Sequence, residues 1–240
     1  VLWRAGAPVP TLLPWLVGFL VLTIAGERVE LSRVGGADPS GAVGASWLLA
    51  GAVVAATLWP GAGHALLGAS LLVLVAWLAR HDVARRTVRA AGATRFMAWC
   101  LLGGYAWLTV AGLVWLLLGR AHEGPAYDAV VHAVFLGFVL SMIMAHASVI
   151  LPAVLRTPLP YHPSFYLPVV LLHASLALRL AVGDLRGLPW ALQLGGALNI
   201  AAVLLFLVLA ITSAVRARGV VGAQPTAVDV RPPSTVEATR

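Results

Sequence analysis

Residues 128–155 have the sequence DAVVHAVFLGFVLSMIMAHASVILPAVL, and this stretch decides the fold. No charged residue follows Asp128 until Arg156. An apolar run of this length crosses a hydrocarbon core of about 30 Å as an α-helix. The stretch therefore predicts a membrane-spanning helix.

Two histidines, His132 and His146, lie within this apolar stretch, fourteen residues apart. At about 1.5 Å and 100° per residue, they are separated by roughly 21 Å along the axis and share one face. The apolar surface between them would suit a large planar ligand. The opposite face carries small residues, which let a neighbouring helix approach closely: Gly137, Ser141, Ala145 and Ser148. We therefore expect one histidine side and one packing side.

The composition identifies the class of protein. Hydrophobic residues make up 60% of the 240 residues and charged residues only 10%, against about 25% charged residues in soluble domains. The chain is therefore predicted to be an integral membrane protein whose main partner is the lipid bilayer. The single cysteine, Cys100, excludes a disulfide framework, a zinc finger and a CxxCH haem-attachment motif. No basic patch is interleaved with aromatic residues, so nucleic acid is not an expected partner.

Seven apolar segments are each near the length that a spanning helix needs. We predict an all-α membrane protein, a bundle of about seven transmembrane helices over residues 1–216. Residues 217–240 lack an apolar pattern and are predicted to be a disordered cytoplasmic tail. The predicted spans are approximately residues 9–25, 45–59, 64–79, 96–118, 128–155, 165–182 and 190–215.

The distribution of arginines predicts the orientation in the membrane. Ten arginines lie in one set of loops and three in the alternate set. The positive-inside rule then places the N-terminus outside and the C-terminus in the cytoplasm. The ten are Arg28, Arg33, Arg80, Arg85, Arg86, Arg89, Arg95, Arg156, Arg216 and Arg218, and the three are Arg4, Arg120 and Arg186.

The remaining charges indicate which functions are less favoured. The charged run at residues 26–33, GERVELSR, is interpreted as a solvated helix end in which Glu30 and Arg33 can form an i,i+3 pair. No Asp or Glu lies in the middle of a predicted span. Proton-driven transporters usually need an intramembrane carboxylate, so a small-molecule transporter is the least favoured function.

Four histidines are the candidate ligands, because imidazole is the commonest protein ligand for metals and polar groups inside a membrane are costly. With the predicted orientation, His132 and His64 lie at a similar outer depth, and His146 and His173 at a similar inner depth. The sequence thus offers one outer and one inner ligand pair. No second helix repeats the fourteen-residue spacing, so a two-helix, four-histidine square is excluded. The alternative is that these imidazoles hydrogen-bond across helices as packing groups.

Three further residues have two interpretations each. Met142 is a candidate thioether ligand for a metal or simple apolar filler. Asp128, four residues before His132, is placed either to accept its second N–H as an outer-shell carboxylate or to begin the helix. Arg179 either extends toward the membrane surface or pairs with a haem propionate.

This region resembles the NnrS family, bacterial multi-span membrane proteins that contain haem and copper and are associated with nitric oxide resistance. The matching residues are His132-Ala133, Gly137, Met142 and the basic exit Arg156-Thr157-Pro158-Leu159. Arg179 and residues 19–33 also look like family features. The chain carries Val-Leu-Arg-Thr at residues 154–157, where the family usually has His-Thr-Gly-Arg. Family members usually have more spans, so the chain would correspond to their later part.

The resemblance implies haem or copper at His132, a role related to nitric oxide, and a bacterial cell membrane. Together with the histidines, it predicts a haem- or copper-binding redox protein, with haem b favoured over copper. Other membrane or redox subunits are potential partners. The alternative is a non-catalytic membrane anchor subunit of a larger complex. Whether the chain is an enzyme is left open by the sequence.

Overall fold

The computed structural model describes residues 8–34, 38–156 and 159–222, together with Gly6 and Gly36. Over these residues the chain is helical and contains no strand. Seven helices are long and apolar enough to cross a membrane. The predicted class, a multi-span helical membrane protein, is confirmed to this extent.

Within the described residues, the chain forms nine α-helices, two π-helical segments and one 3₁₀ turn. The α-helices are α1 Val9–Val34, α2 Ser40–Leu58, α3 Pro60–His81, the short α4 Ala84–Thr87, α5 Gly92–Leu118, α6 Gly124–His132, α7 Ser141–Leu155, α8 Tyr166–Ala177 and α9 Pro189–Gly222. A π-helical segment, Ala133–Leu140, joins α6 to α7, and a second one, Leu178–Asp184, follows α8. A 3₁₀ turn, Pro163–Phe165, precedes α8.

Several pieces combine into single spans. The pieces α6, first π segment and α7 form the fifth span, Gly124–Ala153, and the 3₁₀ turn, α8 and second π segment form the sixth, Pro163–Asp184. Helix α9 is the seventh span. Helix ends alternate between an arginine-rich end of the bundle, where α3 ends and α5 begins, and an arginine-poor end, where α5 ends and α6 begins. Which end faces the cytoplasm remains a prediction.

Helix α5 occupies the middle of the bundle. It packs against α3 on one side and against the first π segment and α7 on the other, while α9 packs against α8 and the second π segment. Glycines allow close approach between α3 and α5, since a Cβ on Gly68 would overlap the backbone at Gly112 and Leu116. The large side chains that the bundle leaves exposed, such as Phe19 and Trp47, suit contact with lipid.

The packing side predicted for the fifth span is present. A Cβ on Gly137 would overlap the side chain of Trp107 from α5. Ser141 and Ala145 are completely buried. The small residues therefore bring the fifth span close to α5.

The π segment changes the directions in which His132 and His146 project around the helix axis, compared with the prediction. In a π-helix each hydrogen bond closes over five residues instead of four, so the chain turns by less than 100° per residue. All eight residues from Ala133 to Leu140 are π-helical and lie between His132 and His146. The shared face inferred from regular α-helix geometry therefore does not follow.

The charged run at the end of α1 differs in part from expectation. The exposed pair is present, with Arg33 Nη1 3.1 Å from Glu30 Oε1. Arg28, however, is only 5% exposed. It donates from Nε and Nη2 to the carboxylate of Asp82, at 2.8 and 2.6 Å, and Tyr105 Oη donates to the same carboxylate at 2.6 Å. The interpretation as a solvated end is thus wrong for Arg28, which is buried because it has a carboxylate partner.

Helix α9 extends through Gly222, past the boundary predicted at Arg216. The rest of the predicted tail, residues 223–240, lies outside the described residues.

Candidate cofactor site

A polar cluster at the arginine-poor end joins the last three spans. Asp128 lies in the first part of the fifth span, and Arg179 lies in the π segment of the sixth. Arg179 donates from Nε to Asp128 Oδ2 at 2.8 Å and from Nη2 to Oδ1 at 2.7 Å. This bidentate geometry is the strong form of an arginine–carboxylate pair. It fixes the relative position of the two spans.

Helix α9 is shaped to receive Arg179. The guanidinium donates from Nη1 to the main-chain oxygen of Leu192 at 3.1 Å. A Cβ on Gly195 would lie 2.8 Å from Cβ of Arg179, and one on Gly196 would lie 3.2 Å from its Nη1. The glycine pair therefore makes the space through which the arginine passes. The interpretation of Arg179 as a side chain that only extends toward the membrane surface does not account for its contacts with α9.

His132 is oriented by the same cluster. Its Nδ1 lies 2.9 Å from the main-chain oxygen of Asp128 and 3.3 Å from Asp128 Oδ1. Because a carbonyl oxygen only accepts, Nδ1 carries the hydrogen, and Nε2 is the nitrogen that a neutral ring offers as a ligand. A ligating histidine commonly has its other ring nitrogen held in this way by a carbonyl or carboxylate.

The ring of His132 forms part of an apolar groove between the fifth span and α9. The groove has a volume of about 390 Å³, which is within the range of cofactor and ligand sites. It is lined by His132, Leu136, Gly196, Asn199, Ile200, Val203 and Leu204. The groove thus combines one imidazole with a mainly apolar wall.

Asn199 supplies an observation that points to a ligand. Its Oδ1 accepts a hydrogen bond from Ser175 Oγ at 2.6 Å. Its Nδ2 is buried and has no partner among the described residues. A buried donor without a partner is rare in a folded protein. An additional group that accepts a hydrogen bond would satisfy it, and Asn199 shares the wall of the groove with His132.

Asp184 was not identified from the sequence as a site residue. Its carboxyl group lies close enough to Asp128 for the two groups to interact electrostatically, and its Oδ2 is buried without a partner in the described part of the chain. The cluster therefore contains two carboxyl groups, one arginine and one histidine.

The inner candidates, His146 and His173, have different surroundings. Trp107 Nε1 donates to His173 Nδ1 at 2.8 Å. His173 Nε2 is buried without a hydrogen-bond partner among the described residues, and a Cβ on Gly103 would lie only 2.8 Å from it. His146 Nδ1 lies 2.8 Å from the main-chain oxygen of Met142, and no hydrogen bond joins His146 to His173 in the described ranges.

The outer candidates are also separate. His64 Nδ1 is 2.6 Å from the main-chain oxygen of Pro60, and its ring contacts Trp115 and His122. Helix α5 packs between α3 and the fifth span, so the structure does not bring His64 to His132.

Met142 packs toward α5, where a Cβ on Gly104 would lie 2.7 Å from its Cε. At ten residues from His132, about 15 Å along a helix, it is not a second ligand at the same centre.

The sequence nevertheless contained signals for the residues that were not identified. Adjacent glycines in an apolar helix, Gly195 and Gly196, indicate a close approach by another group. Asn199 follows them by one helical turn and is one of two long polar interruptions of this span, the other being Gln193.

Comparison with known proteins gives one match. Among curated proteins and solved structures, none matches the chain. The model of one family, described as a domain of unknown function (DUF8744), matches residues 1–215. Because this match covers most of the sequence, the chain belongs to the DUF8744 family.

Proposed function

We propose that this chain is a membrane redox protein that binds haem b at His132, or copper in the alternative. The observation that carries the proposal is the geometry of His132. One ring nitrogen is held by the main chain of Asp128, while the ring itself lines an apolar groove whose wall includes Asn199, a residue with a buried and unpaired amide nitrogen. The same residue carries the resemblance to the NnrS family.

Each residue of the cluster has a role that follows from its contacts. His132 offers its Nε2 to the groove. Asp128 orients this ring through its main-chain oxygen and places a carboxylate 3.3 Å from Nδ1. Arg179 holds Asp128 and ties it to α9. Asn199 donates to a polar group of the ligand, and the apolar side chains of the groove exclude water.

When bound, haem or copper supplies one-electron chemistry that protein side chains lack. The resemblance suggests nitric oxide as a reactant and other membrane or redox subunits as electron partners. It also suggests a bacterial cell membrane.

The test is the absorbance spectrum and copper content of the purified full chain, produced in cells supplied with haem precursor and copper. We expect a Soret band that shifts on reduction, or one copper per chain that depends on His132. His132→Ala should remove the Soret band, or lower the copper content by one per chain. His146→Ala is the matched control on the same span and should retain the parent's spectrum and copper content. A parent protein without haem or copper, or a His132→Ala variant that keeps the full signal, would refute the proposal.

A non-catalytic anchor subunit is the second candidate function, and one observation favours it. His173 is bound by Trp107 and packed against Gly103, as expected of a histidine that holds helices together. If His132 has only this role as well, His132→Ala should lower thermal stability without changing any cofactor content.

A further inference from the structure

A second pair of histidines lies apart from the His132 groove, at the arginine-poor end. His64 is in the first turn of α3, and His122 is in the segment between α5 and α6. Their ring centroids are 6.1 Å apart, with the ring planes at 54°. The sequence suggested a haem ligand for His64 and did not connect it with His122.

The main chain brings these two rings together. The segment after α5 folds over the turn between α2 and α3, where a Cβ on Gly119 would lie 3.8 Å from the main-chain oxygen of Gly61. Ala121, next to His122, is buried against the bundle. Trp115 of α5 lies edge-on to His64, with ring centroids 6.1 Å apart, and is completely buried.

Both rings have a nitrogen available for a ligand. His64 is 4% exposed. Its Nδ1 donates to the main-chain oxygen of Pro60 at 2.6 Å, so Nε2 keeps its lone pair. His122 Nε2 is buried and has no hydrogen-bond partner in the part of the chain that the structure describes.

The donor set determines which ion the two imidazoles would hold. A nitrogen–metal bond is about 2 Å long, so two imidazoles on opposite sides of one ion have centroids roughly 6 Å apart, and the 6.1 Å separation of these rings is compatible with that spacing. Zinc prefers four ligands, whereas the described residues contain no group of three or more His, Cys, Asp or Glu side chains that could hold a metal. Arg120 also acts on both rings electrostatically, and its positive charge disfavours a divalent ion more than a monovalent one.

We propose that His64 and His122 form a two-coordinate binding site for a monovalent soft cation, Cu(I). The site is independent of the groove at His132, and it would hold copper even if the proposed haem role of His132 is wrong.

Competition for Cu(I) against a chromophoric chelator, with the purified full chain under reducing conditions, tests this site. We expect one chelator-resistant Cu(I) per chain. Since even loss of an outer-shell partner weakens metal binding by about 10- to 100-fold, His64→Gln or His122→Gln should weaken it by at least that factor. His162→Gln, in an exposed loop, is the matched control and should bind as the parent does. His132→Ala should also keep this Cu(I).

X-ray absorption of the Cu(I)-loaded parent provides a readout that needs no variant. Two nitrogen neighbours and no sulfur neighbour support the site. A sulfur neighbour, from Cys100 or a methionine, would overturn it. So would a parent that loses all Cu(I) to the chelator, or Cu(I) binding that neither glutamine substitution changes.

Discussion

At the scale of single residues, a substitution at Asn199 distinguishes a role in folding from a role in ligand binding. Ser175 Oγ, which donates to Asn199 Oδ1, also lies 3.0 Å from the main-chain oxygen of Leu172. The serine therefore keeps a partner when Asn199 is replaced. The amide nitrogen, by contrast, has no partner among the described residues, so its removal relieves a cost of about 1–3 kcal/mol.

We predict that Asn199→Leu leaves thermal stability nearly unchanged or raises it, while it alters the spectrum or lowers the cofactor content. The measurements are thermal unfolding in detergent and absorbance. Gln193→Leu, at an exposed position of the same helix, is the control and should change neither. A strong loss of stability in Asn199→Leu would show that the residue belongs to the packing and not to the groove.

The carboxylate of Asp82 should make the stability of the protein depend on pH. Burial alone would raise its pKa, but hydrogen bonds from Arg28, the main chain of Ala84 and Tyr105 outweigh burial and hold the pKa below its ordinary value. A carboxylate with a depressed folded-state pKa stabilises the fold above the unfolded-state pKa, near 3.9, and this stability is lost as pH falls through the folded-state value. The protein should therefore lose stability below about pH 4.

The Asp82→Asn variant isolates this effect. It should be less stable than the parent at pH 7 by about 3–5 kcal/mol, because it leaves Arg28 buried without its counter-charge, and the difference should shrink as pH falls. Thermal unfolding from pH 7 to pH 3 measures both. Glu30→Gln removes a partner from an exposed pair, where about 0–1 kcal/mol is expected. An Asp82→Asn variant as stable as the parent at pH 7 would contradict the prediction.

At the scale of the helices, hydropathy predicted the spans but not the segments that position the site. The charge-free stretch before Arg156 was sufficient to predict the fifth span. Nothing in its composition distinguishes Ala133–Leu140, which is π-helical, from the α-helix that follows it. Because a π segment depends on packing with other helices, the faces of His132 and His146 were not predictable from spacing. The buried position of Arg28 depended likewise on a partner 54 residues away, Asp82.

The prediction at this scale concerns Arg179, because this residue connects the fifth span, the sixth span and α9. The side chains of Arg179 and Asp128 are 19% and 25% exposed. Their ion pair should therefore contribute less to stability than a fully buried ion pair. We expect Arg179→Gln and Asp128→Asn each to lower stability by about 1–3 kcal/mol.

The double variant should lose less than the sum of the two single losses, because the second substitution removes a group that has already lost its partner. Thermal unfolding of the four proteins measures this coupling. Strictly additive losses would mean that the two side chains act independently, contrary to the two hydrogen bonds between them.

At the scale of the whole molecule, the seven spans and the arrangement of arginines constrain each other. Seven spans would place the two ends of the described chain on opposite sides of the membrane. The arginine-rich end contains the link between α3 and α5, and the arginine-poor end contains the link between α5 and α6. The positive-inside rule assigns the first to the cytoplasm, which would place the His132 groove and the His64–His122 pair near the outer surface.

Site-directed labelling tests this orientation. Ala91 and Glu123 are exposed and lie in the links before and after α5, and the native Cys100 is fully buried, so it should not react. Position 123 is preferable to Gly124, whose φ of +70° would strain any other residue. We predict that a membrane-impermeant thiol reagent applied to intact cells labels Glu123→Cys but not Ala91→Cys, and that both are labelled after lysis. Labelling of Ala91→Cys alone in intact cells would reverse the orientation, and labelling of both would contradict a membrane-spanning α5.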